Sequence, residues 1–319
     1  MADARTQLVE GLTYNLGPTI TEALNDPDVV EVMVNPDGNI WVEKLGEEMK
    51  IAGTLGFYQA KDVVILMASS MDFEANVENP VVQGELPLDG SRFHGVLPPN
   101  VSPQASFTIR KKASKVFSLE QYVEQGIVSA SLYEVLRASI AGRKNILVVG
   151  GTGSGKTTFL NALIKTMSEL CSEHRVLILE DTMELQCESA NKVFMRTSDF
   201  LKMGGLVMTC LRYRPDRILI GEVRDEAALD LLKAWNTGHP GGFATVHANS
   251  AEEGLDRLEE LTEEAGKGPK QKLIGRAVDM ILFIQKTGQG GRKITEAITV
   301  HGYDPVSQTY KTEDIYNAH

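Results

Sequence analysis

A glycine-rich segment at residues 150–157 has the residue types and spacing of a phosphate-binding loop. It reads Gly150, Gly151, Thr152, Gly153, Ser154, Gly155, Lys156 and Thr157, and Thr158 follows it. Glycines let such a loop close tightly and turn its backbone N–H groups inward, and the N-terminal end of a following helix adds positive potential. Lys156 supplies a charge for the β- and γ-phosphates, and the Thr157 hydroxyl is a magnesium ligand. The segment therefore predicts a site for ATP and Mg²⁺.

The elements around this loop are those that such a site requires. Residues 145–149 are predicted to form a buried strand that leads into the loop. After the loop, Leu160, Leu163 and Ile164 recur at helical spacing. Strand, glycine loop and helix thus occur in the order that phosphate binding needs, which makes a chance glycine-rich turn a poor explanation.

Acidic residues follow two more predicted buried strands, at residues 176–179 and 218–220. Hydrolysis needs a carboxylate to orient and partly deprotonate the attacking water. Glu180 is the predicted general base, with Glu184 as a further catalytic carboxylate. Glu222 is predicted to organise the metal together with Thr157, because position 221 is Gly where many P-loop enzymes place a magnesium-binding Asp. The bland alternative is that these carboxylates only cap helices or lie on the surface.

The roles of the histidines and arginines are less well defined by the sequence than those of the acidic residues. His239 and His247 are eight residues apart and do not have the spacing of a helical metal-binding pair. From spacing alone, a structural role and contact with the γ-phosphate are equally open for His247. An arginine brought to the γ-phosphate from another domain or subunit would stabilise transition-state charge, but the sequence alone does not rank the arginines.

The pattern of predicted helices and strands changes near residue 120, which predicts a domain boundary there. Residues 1–120 are predicted to form a smaller α+β domain, with a hairpin at 29–42, a helix at 57–71 and a strand at 106–110. Residues 121–319 alternate helix and strand, which specifies a parallel sheet covered by helices. The fold class is therefore α/β.

Composition restricts the function further. The net charge of −11 argues against a surface built to neutralise nucleic-acid phosphates. The cysteines are three in number and widely spaced, so neither a disulfide framework nor a zinc ribbon is indicated. No segment has the length and apolar character of a membrane span, which predicts a cytoplasmic protein.

Four ordered motifs together resemble the secretion-ATPase superfamily, the traffic ATPases of type II and type IV secretion. They are the glycine loop, the acidic segment 179–185, the segment 214–224 and the segment 238–250. The short chain and compact linker are most similar to the conjugal-transfer ATPases of type IV secretion, of the TrbB type. Pilus and type II motors often carry a tetracysteine zinc insertion, which these three cysteines cannot form.

The resemblance implies a RecA-like ATPase domain and a homohexamer peripheral to the cytoplasmic face of the bacterial inner membrane, where other type IV secretion components would be its partners. It matches residues 180–184 to an Asp box, 218–222 to an atypical Walker B motif and 239–247 to a His box. It raises His247 to a functional role and singles out Arg92 and Arg110 as arginines that approach the phosphates.

These expectations define a function and its alternatives. The predicted function is ATP hydrolysis that powers type IV secretion and conjugative transfer, by pilus assembly or substrate export. One alternative is a nucleotide-dependent switch with negligible turnover. The other is a DNA translocase of the same fold, against which the acidic charge counts, since direct nucleic-acid binding is not expected.

Overall fold

The chain forms two compact units, Met1–Lys115 and Val116–His319. The computed structural model describes residues 2–112, 115–198, 200–266, 268–288 and 291–318, with side chains from residue 5 onward. Each unit has a hydrophobic core of its own. Among the described residues, none of the helices has the combination of length and apolar character that crossing a bilayer requires.

The first unit is an antiparallel sheet packed against helices. Its elements are α1 (Ala2–Asn25), β1 (Val29–Val34), β2 (Asn39–Lys44), β3 (Lys50–Thr54), α2 (Phe57–Ser69), β4 (Val81–Glu85), β5 (Arg92–Val96) and β6 (Ser106–Arg110). The strand order is β3-β2-β1-β6-β5-β4. The hairpin, the helix and the strand at 106–110 predicted for this unit are confirmed, although α2 ends at Ser69, two residues before the predicted end.

Alternation along the strands explains how this sheet buries one face. Val32 and Val34 of β1 are fully buried, and they share a core with Val63 and Met67 of α2. Successive strand residues point to opposite faces of a sheet, so the residue between Val32 and Val34 points to the face away from α2. The sequence pattern of β1 thus determines which face α2 covers.

The second unit is an α/β fold. Its helices are α3 (Leu119–Glu124), α4 (Ala130–Ala141), α5 (Lys156–Leu170), α6 (Met203–Cys210), α7 (Ala227–Asn236), α8 (Glu253–Glu264) and α9 (Gln271–Ala277). Its strands are β7 (Ile146–Val149), β8 (Val176–Glu180), β9 (Lys192–Arg196), β10 (Arg217–Ile220), β11 (Phe243–Val246), β12 (Met280–Lys286), β13 (Arg292–Asp304) and β14 (Thr309–Asn317). The predicted parallel sheet with covering helices is confirmed.

The strand order places the sequence motifs at one edge of the sheet. That order is β14-β13-β12-β7-β11-β10-β8-β9, parallel from β12 to β9, with β13 and β14 antiparallel. The carboxyl ends of parallel strands lie at a common edge, where ligands bind in open α/β sheets. The residues that follow β7, β8, β10 and β11 therefore meet there.

Helices cover both faces of this sheet because its central strands are apolar on both sides. In β7, Leu147 and Val149 contribute to one core, and Ile146 and Val148 contribute to the other. All four are at most 1% exposed. A continuous apolar run of this kind is what a parallel strand buried on both faces requires.

A Ser-x-x-Glu sequence at residues 250–253, the pattern of a helix capping box, precedes α8. The Ser250 hydroxyl does accept a hydrogen bond from the Glu253 backbone N–H at 3.0 Å. Residues 251 and 252 form a turn, and the helix begins at Glu253. This hydrogen bond therefore belongs to the turn that leads into the helix.

Candidate active site

The glycine loop joins the end of β7 to the start of α5. Gly153 and Gly155 have positive φ angles of 67° and 96°, a region that side chains with a Cβ rarely adopt. A Cβ on Gly150 would lie 2.3 Å from the Ile284 carbonyl oxygen, so only glycine fits where the loop leaves the sheet. Gly153 and Gly155 are thus needed for the positive φ angles of the loop, and Gly150 is needed for the space where the loop leaves β7.

Lys156 lies under this loop at the N-terminus of α5 and is only 7% exposed. Its Nζ donates to the carbonyl oxygens of Gly150 and Gly151, each at 2.9 Å. The same Nζ lies 3.3 Å from Nδ1 of His247. The lysine therefore holds its charge at the base of the loop and beside the end of β11.

His247 connects Lys156 to Glu222. Its Nε2 lies 2.9 Å from Oε1 of Glu222. An ammonium group can only donate, so Nδ1 accepts from Lys156 and the ring proton is assigned to Nε2, which donates to the carboxylate. Burial and the charge of Lys156 lower the pKa of His247 below its ordinary value, against the opposing charge of Glu222. A neutral His247 thus joins the cation and the anion.

Arg224 holds the other oxygen of Glu222. Its Nη2 donates to Oε2 of that carboxylate. Burial by itself would raise the pKa of Glu222, but the hydrogen bond and charge of Arg224, with His247 and Lys156, bring that pKa below its ordinary value. The hydrogen bond and charge of Glu222 raise the pKa of Arg224 in turn, and Asp181 and Glu184 add to that effect. Arg224 therefore interacts electrostatically with the acidic residues after β8 as well as with Glu222.

Glu180 is buried at the end of β8, with 3% of its surface exposed. Its Oε1 accepts hydrogen bonds from the backbone N–H groups of Glu184 and Leu185, both at 2.9 Å. A Cβ on Gly221 would lie 3.2 Å from this carboxylate. The glycine before Glu222 therefore leaves space for the Glu180 side chain, which gives a physical reason for the missing Asp.

Asn161 fixes the acidic segment from the side of α5. It is 1% exposed, accepts from the Gln186 backbone N–H at 2.8 Å and donates to the Glu184 carbonyl oxygen at 3.3 Å. The sequence reasoning missed this residue. The available signal was a polar side chain on the apolar face of the helix that follows the glycine loop.

Arg217 is a second residue that the sequence reasoning did not identify. It is fully buried at the start of β10, and it donates to the carbonyl oxygens of Gly241 at 3.0 Å and Ile140 at 2.8 Å. Asn145 accepts from the N–H groups of Gly241 and Gly242 at 2.7 and 2.9 Å. These contacts fix the turn that precedes β11 and so set the position of His247 at the other end of that strand.

The structure brings together the predicted residues of the second unit. Lys156, His247 and Glu222 form one hydrogen-bonded chain, and Glu180 and Glu184 lie at the neighbouring strand end. Thr157 and Thr158 are half-buried in the first turn of α5. His239, by contrast, lies before β11, at the opposite end of that strand from His247.

Arg92 and Arg110 lie in the first unit, on adjacent strands. They are directly opposite each other in the register of β5 and β6, and both are half-buried. In the same cross-strand row, Glu31 is opposite Arg110 and Glu85 is opposite Arg92. Flanking carboxylates therefore compensate the two like charges within the sheet, and the role at the phosphates remains a prediction.

Comparison with known proteins shows which family the chain is related to. The family model described as "Type II/IV secretion system protein" matches residues 16–305. The chain is 46% identical over 307 residues to the conjugal transfer protein TrbB of Rhizobium radiobacter, covering 96% of this chain and 94% of that protein. It is 30% identical over 311 residues to the protein VirB11 of Agrobacterium fabrum, covering 84% of this chain and 88% of that protein.

A solved structure supports the fold. The X-ray structure of the Legionella pneumophila ATPase DotB matches with a TM-score of 0.64 and 19% identity, and it covers 88% of this chain and 79% of that one. The resemblance to the secretion superfamily and its conjugal-transfer branch, and the α/β fold class, are thus confirmed. The chain belongs to the type II/IV secretion system protein family.

Proposed function

We propose that the chain hydrolyses ATP and that this hydrolysis powers conjugative transfer through a type IV secretion system. The carrying observation is the buried Lys156 that contacts both the glycine loop and the His247–Glu222 pair. The printed name of TrbB, to which nearly the whole chain is similar, supplies the conjugal-transfer part of the proposal.

In this proposal the phosphates bind where residues 150–158 can supply backbone N–H groups, the charge of Lys156 and the hydroxyls of Thr157 and Thr158. Ser154 is 3% exposed, and its buried hydroxyl has no hydrogen-bond partner among the described residues. The loop also has no space for a Cβ at Gly150. A tightly closed loop with an unpartnered hydroxyl fits a polyphosphate ligand. ATP is therefore the substrate class that the residues suit.

Magnesium fits the same site as an ion held mainly by phosphate and water. Among the described residues, no group of three His, Cys, Asp or Glu side chains could form a metal cage. Mg²⁺ is usually bound through only one or two protein ligands plus phosphates. Thr157 would hold it directly and Glu222, engaged by His247 and Arg224, would organise its water; when bound, the ion neutralises charge on the phosphate oxygens.

Hydrolysis then follows an in-line path. A water molecule attacks the γ-phosphorus, the bond to the β–γ bridging oxygen breaks, ADP leaves and the water proton passes to a carboxylate. Glu180 is the proposed base because two backbone N–H groups fix its orientation. Glu184 assists at the same strand end, and His247 lies where it can contact the γ-phosphate beside Lys156.

The remaining parts of the proposal concern assembly. Arg92 and Arg110 are proposed to approach the nucleotide phosphates. The chain is proposed to act as a homohexamer, peripheral to the cytoplasmic face of the inner membrane, with other type IV secretion components as partners. Support comes from the similarity to TrbB and VirB11.

Three variants test the proposal. Lys156→Ala should reduce phosphate release by about 10²–10³-fold, because it removes a fixed positive charge at the developing negative charge. Glu180→Gln should reduce it by about 10²–10⁴-fold while Mg-ATP still binds, because it removes only the base. Lys165→Ala, on the same helix but outside the loop, is the matched control and should resemble wild type.

Phosphate release, nucleotide affinity and conjugal transfer would be measured for each variant. Normal phosphate release and normal transfer in Lys156→Ala would overturn the proposed function. Undetectable turnover in wild type with tight ATP binding would indicate a nucleotide-dependent switch. Strong stimulation of turnover by DNA would indicate a translocase. Either result would overturn the proposal that ATP hydrolysis powers conjugative transfer.

A further inference from the structure

Two cations from a hairpin in the second unit lie against residues 153–155 of the glycine loop. Lys286 ends β12 and Arg292 begins β13, and the two residues are direct cross-strand partners. Partners across an antiparallel pair have their side chains on the same face of the sheet. The hairpin therefore presents two positive charges side by side.

Distances place these side chains over residues 153–155. Arg292 Nη2 lies 3.4 Å from the Gly153 carbonyl oxygen, to which it donates. A Cβ on Gly155 would lie 2.9 Å from Cδ and 3.2 Å from Nε of Arg292, and a Cβ on Gly153 would lie 3.0 Å from Lys286 Nζ. Both side chains thus touch the backbone that supplies the loop's N–H groups.

The strand order explains why these cations lie there. β12 and β11 flank β7 on opposite sides. His247 and Glu222 follow β11 and β10 on one side of the loop. Lys286 ends β12 on the other side, so the loop lies between an acid–histidine pair and a pair of cations.

In the described part of the chain, no carboxylate pairs with either cation of this hairpin. Like charges directly opposite each other on paired strands are unfavourable. An anion bound over the loop would relieve this repulsion and gain charge-assisted hydrogen bonds.

We propose that Lys286 and Arg292 bind the α- and β-phosphates of the nucleotide, on the side of the loop away from Glu222. The inference rests on the proposed nucleotide site. In P-loops the backbone N–H groups cradle these two phosphates, whereas the lysine reaches the β- and γ-phosphates. These phosphates are present in ATP and in ADP alike, so most of the binding energy of the two cations appears in the Kd of ADP and in KM. Only the charge that the β-phosphate gains as its bond to the γ-phosphate breaks acts on kcat.

The experiment compares three single variants in the full-length protein. Arg292→Gln keeps an N–H donor for the Gly153 carbonyl oxygen and removes the charge. Lys286→Ala removes the second cation. Lys293→Ala is the matched control, because alternation along β13 directs this lysine to the opposite face from Arg292.

The measurements are the Kd of Mg-ADP by calorimetry and the KM and kcat for ATP. Arg292→Gln and Lys286→Ala should each raise Kd and KM by about 5- to 20-fold, a typical effect of losing a charge-assisted hydrogen bond at a partly exposed site. Their kcat should fall by a smaller factor than their affinity for ADP. Lys293→Ala should leave all three values unchanged, and raised salt should weaken ADP binding less in the two charge variants than in wild type.

Other outcomes are decisive as well. Wild-type ADP affinity in the Lys286→Ala/Arg292→Gln double variant, with affinity lost in Lys156→Ala, would overturn the inference and leave the proposed site intact. Undiminished ADP affinity in Lys156→Ala would overturn the proposed site itself. A fall in kcat and in thermal stability without a change in ADP affinity would assign the two cations a purely structural role.

Discussion

At the scale of single residues, the site depends on a neutral histidine between a lysine and a glutamate. His247 accepts from Lys156 through Nδ1 and donates to Glu222 through Nε2. Protonation would put a second positive charge on Nδ1 beside the lysine ammonium group. The arrangement is therefore compatible with only one protonation state of His247.

This dependence predicts an acid limb in the pH profile of kcat/KM. The pKa of His247 is lowered from its ordinary value of 6.5, mainly by burial and by Lys156. His247 should therefore be neutral at pH 7, and activity should fall as the pH drops below 6.5 through the lowered pKa. Steady-state kinetics between pH 5 and 8, in buffers of constant ionic strength, would show the limb.

The control is His247→Gln, which should be less active but should lack that limb. An unchanged acid limb in this variant would assign the titration to another group. The sign for stability follows from linkage: between the lowered pKa and 6.5 the unfolded chain binds more protons, so the folded state loses stability as the pH falls through that window. Burial and Arg217 also lower the pKa of His174, so the comparison with the variant is needed to isolate His247.

At the scale of elements, the ends of β8 and β10 share a confined space. Glu180 ends β8, and Gly221 directly follows β10. The Gly221 carbonyl oxygen accepts from the Thr245 hydroxyl at 2.7 Å, which fixes this backbone to β11. The two strand ends therefore tolerate little extra volume between them.

An aspartate introduced at position 221 should therefore destabilise the protein. A Cβ there lies 3.2 Å from Glu180, so Gly221→Asp adds a crowded side chain and a like charge, and should destabilise the fold by about 1–3 kcal/mol. Gly221→Ala, which adds only the Cβ, should stay within about 1 kcal/mol of wild type. Urea unfolding of both variants tests this, and greater stability in Gly221→Asp than in Gly221→Ala would contradict the crowding.

At the scale of the whole molecule, each unit carries one tryptophan, Trp41 in the first and Trp235 in the second. Fluorescence of Trp41→Phe therefore reports the second unit alone, and fluorescence of Trp235→Phe reports the first. Trp235 is the more deeply packed residue, 3% exposed with its Nε1 donating to the Ile218 carbonyl oxygen at 3.4 Å. The two reporters allow the units to be followed separately in the intact chain.

Nucleotide binding should stabilise the unit that contains the glycine loop. Mg-ADP at 100 times its Kd should raise the free energy of unfolding by about 2.7 kcal/mol, which corresponds to a rise in Tm of about 5–10 °C in Trp41→Phe. If Arg92 and Arg110 contact the phosphates, the Trp41 signal of Trp235→Phe should shift upwards as well. Adding Arg92→Ala and Arg110→Ala should abolish that second shift, and its persistence would exclude both arginines.

The sequence by itself determined the features that depend on neighbouring residues. The strand before residue 150, the glycine loop and the helix after it are contiguous, so spacing and residue type were sufficient to predict them. The alternation of helix and strand likewise specified a parallel sheet in the second unit. The family relationship also followed from motifs that each occupy a short stretch of chain.

Only the tertiary structure decided which distant side chains meet. The partners of Arg217, the assigned tautomer of His247 and the approach of Lys286 and Arg292 to the loop depend on strand order and register. Arg292 is 139 residues from Gly153 in sequence, and it reaches the loop because β12 is the neighbour of β7. No local sequence pattern encodes such a contact, because the two residues are brought together only when the whole sheet has formed.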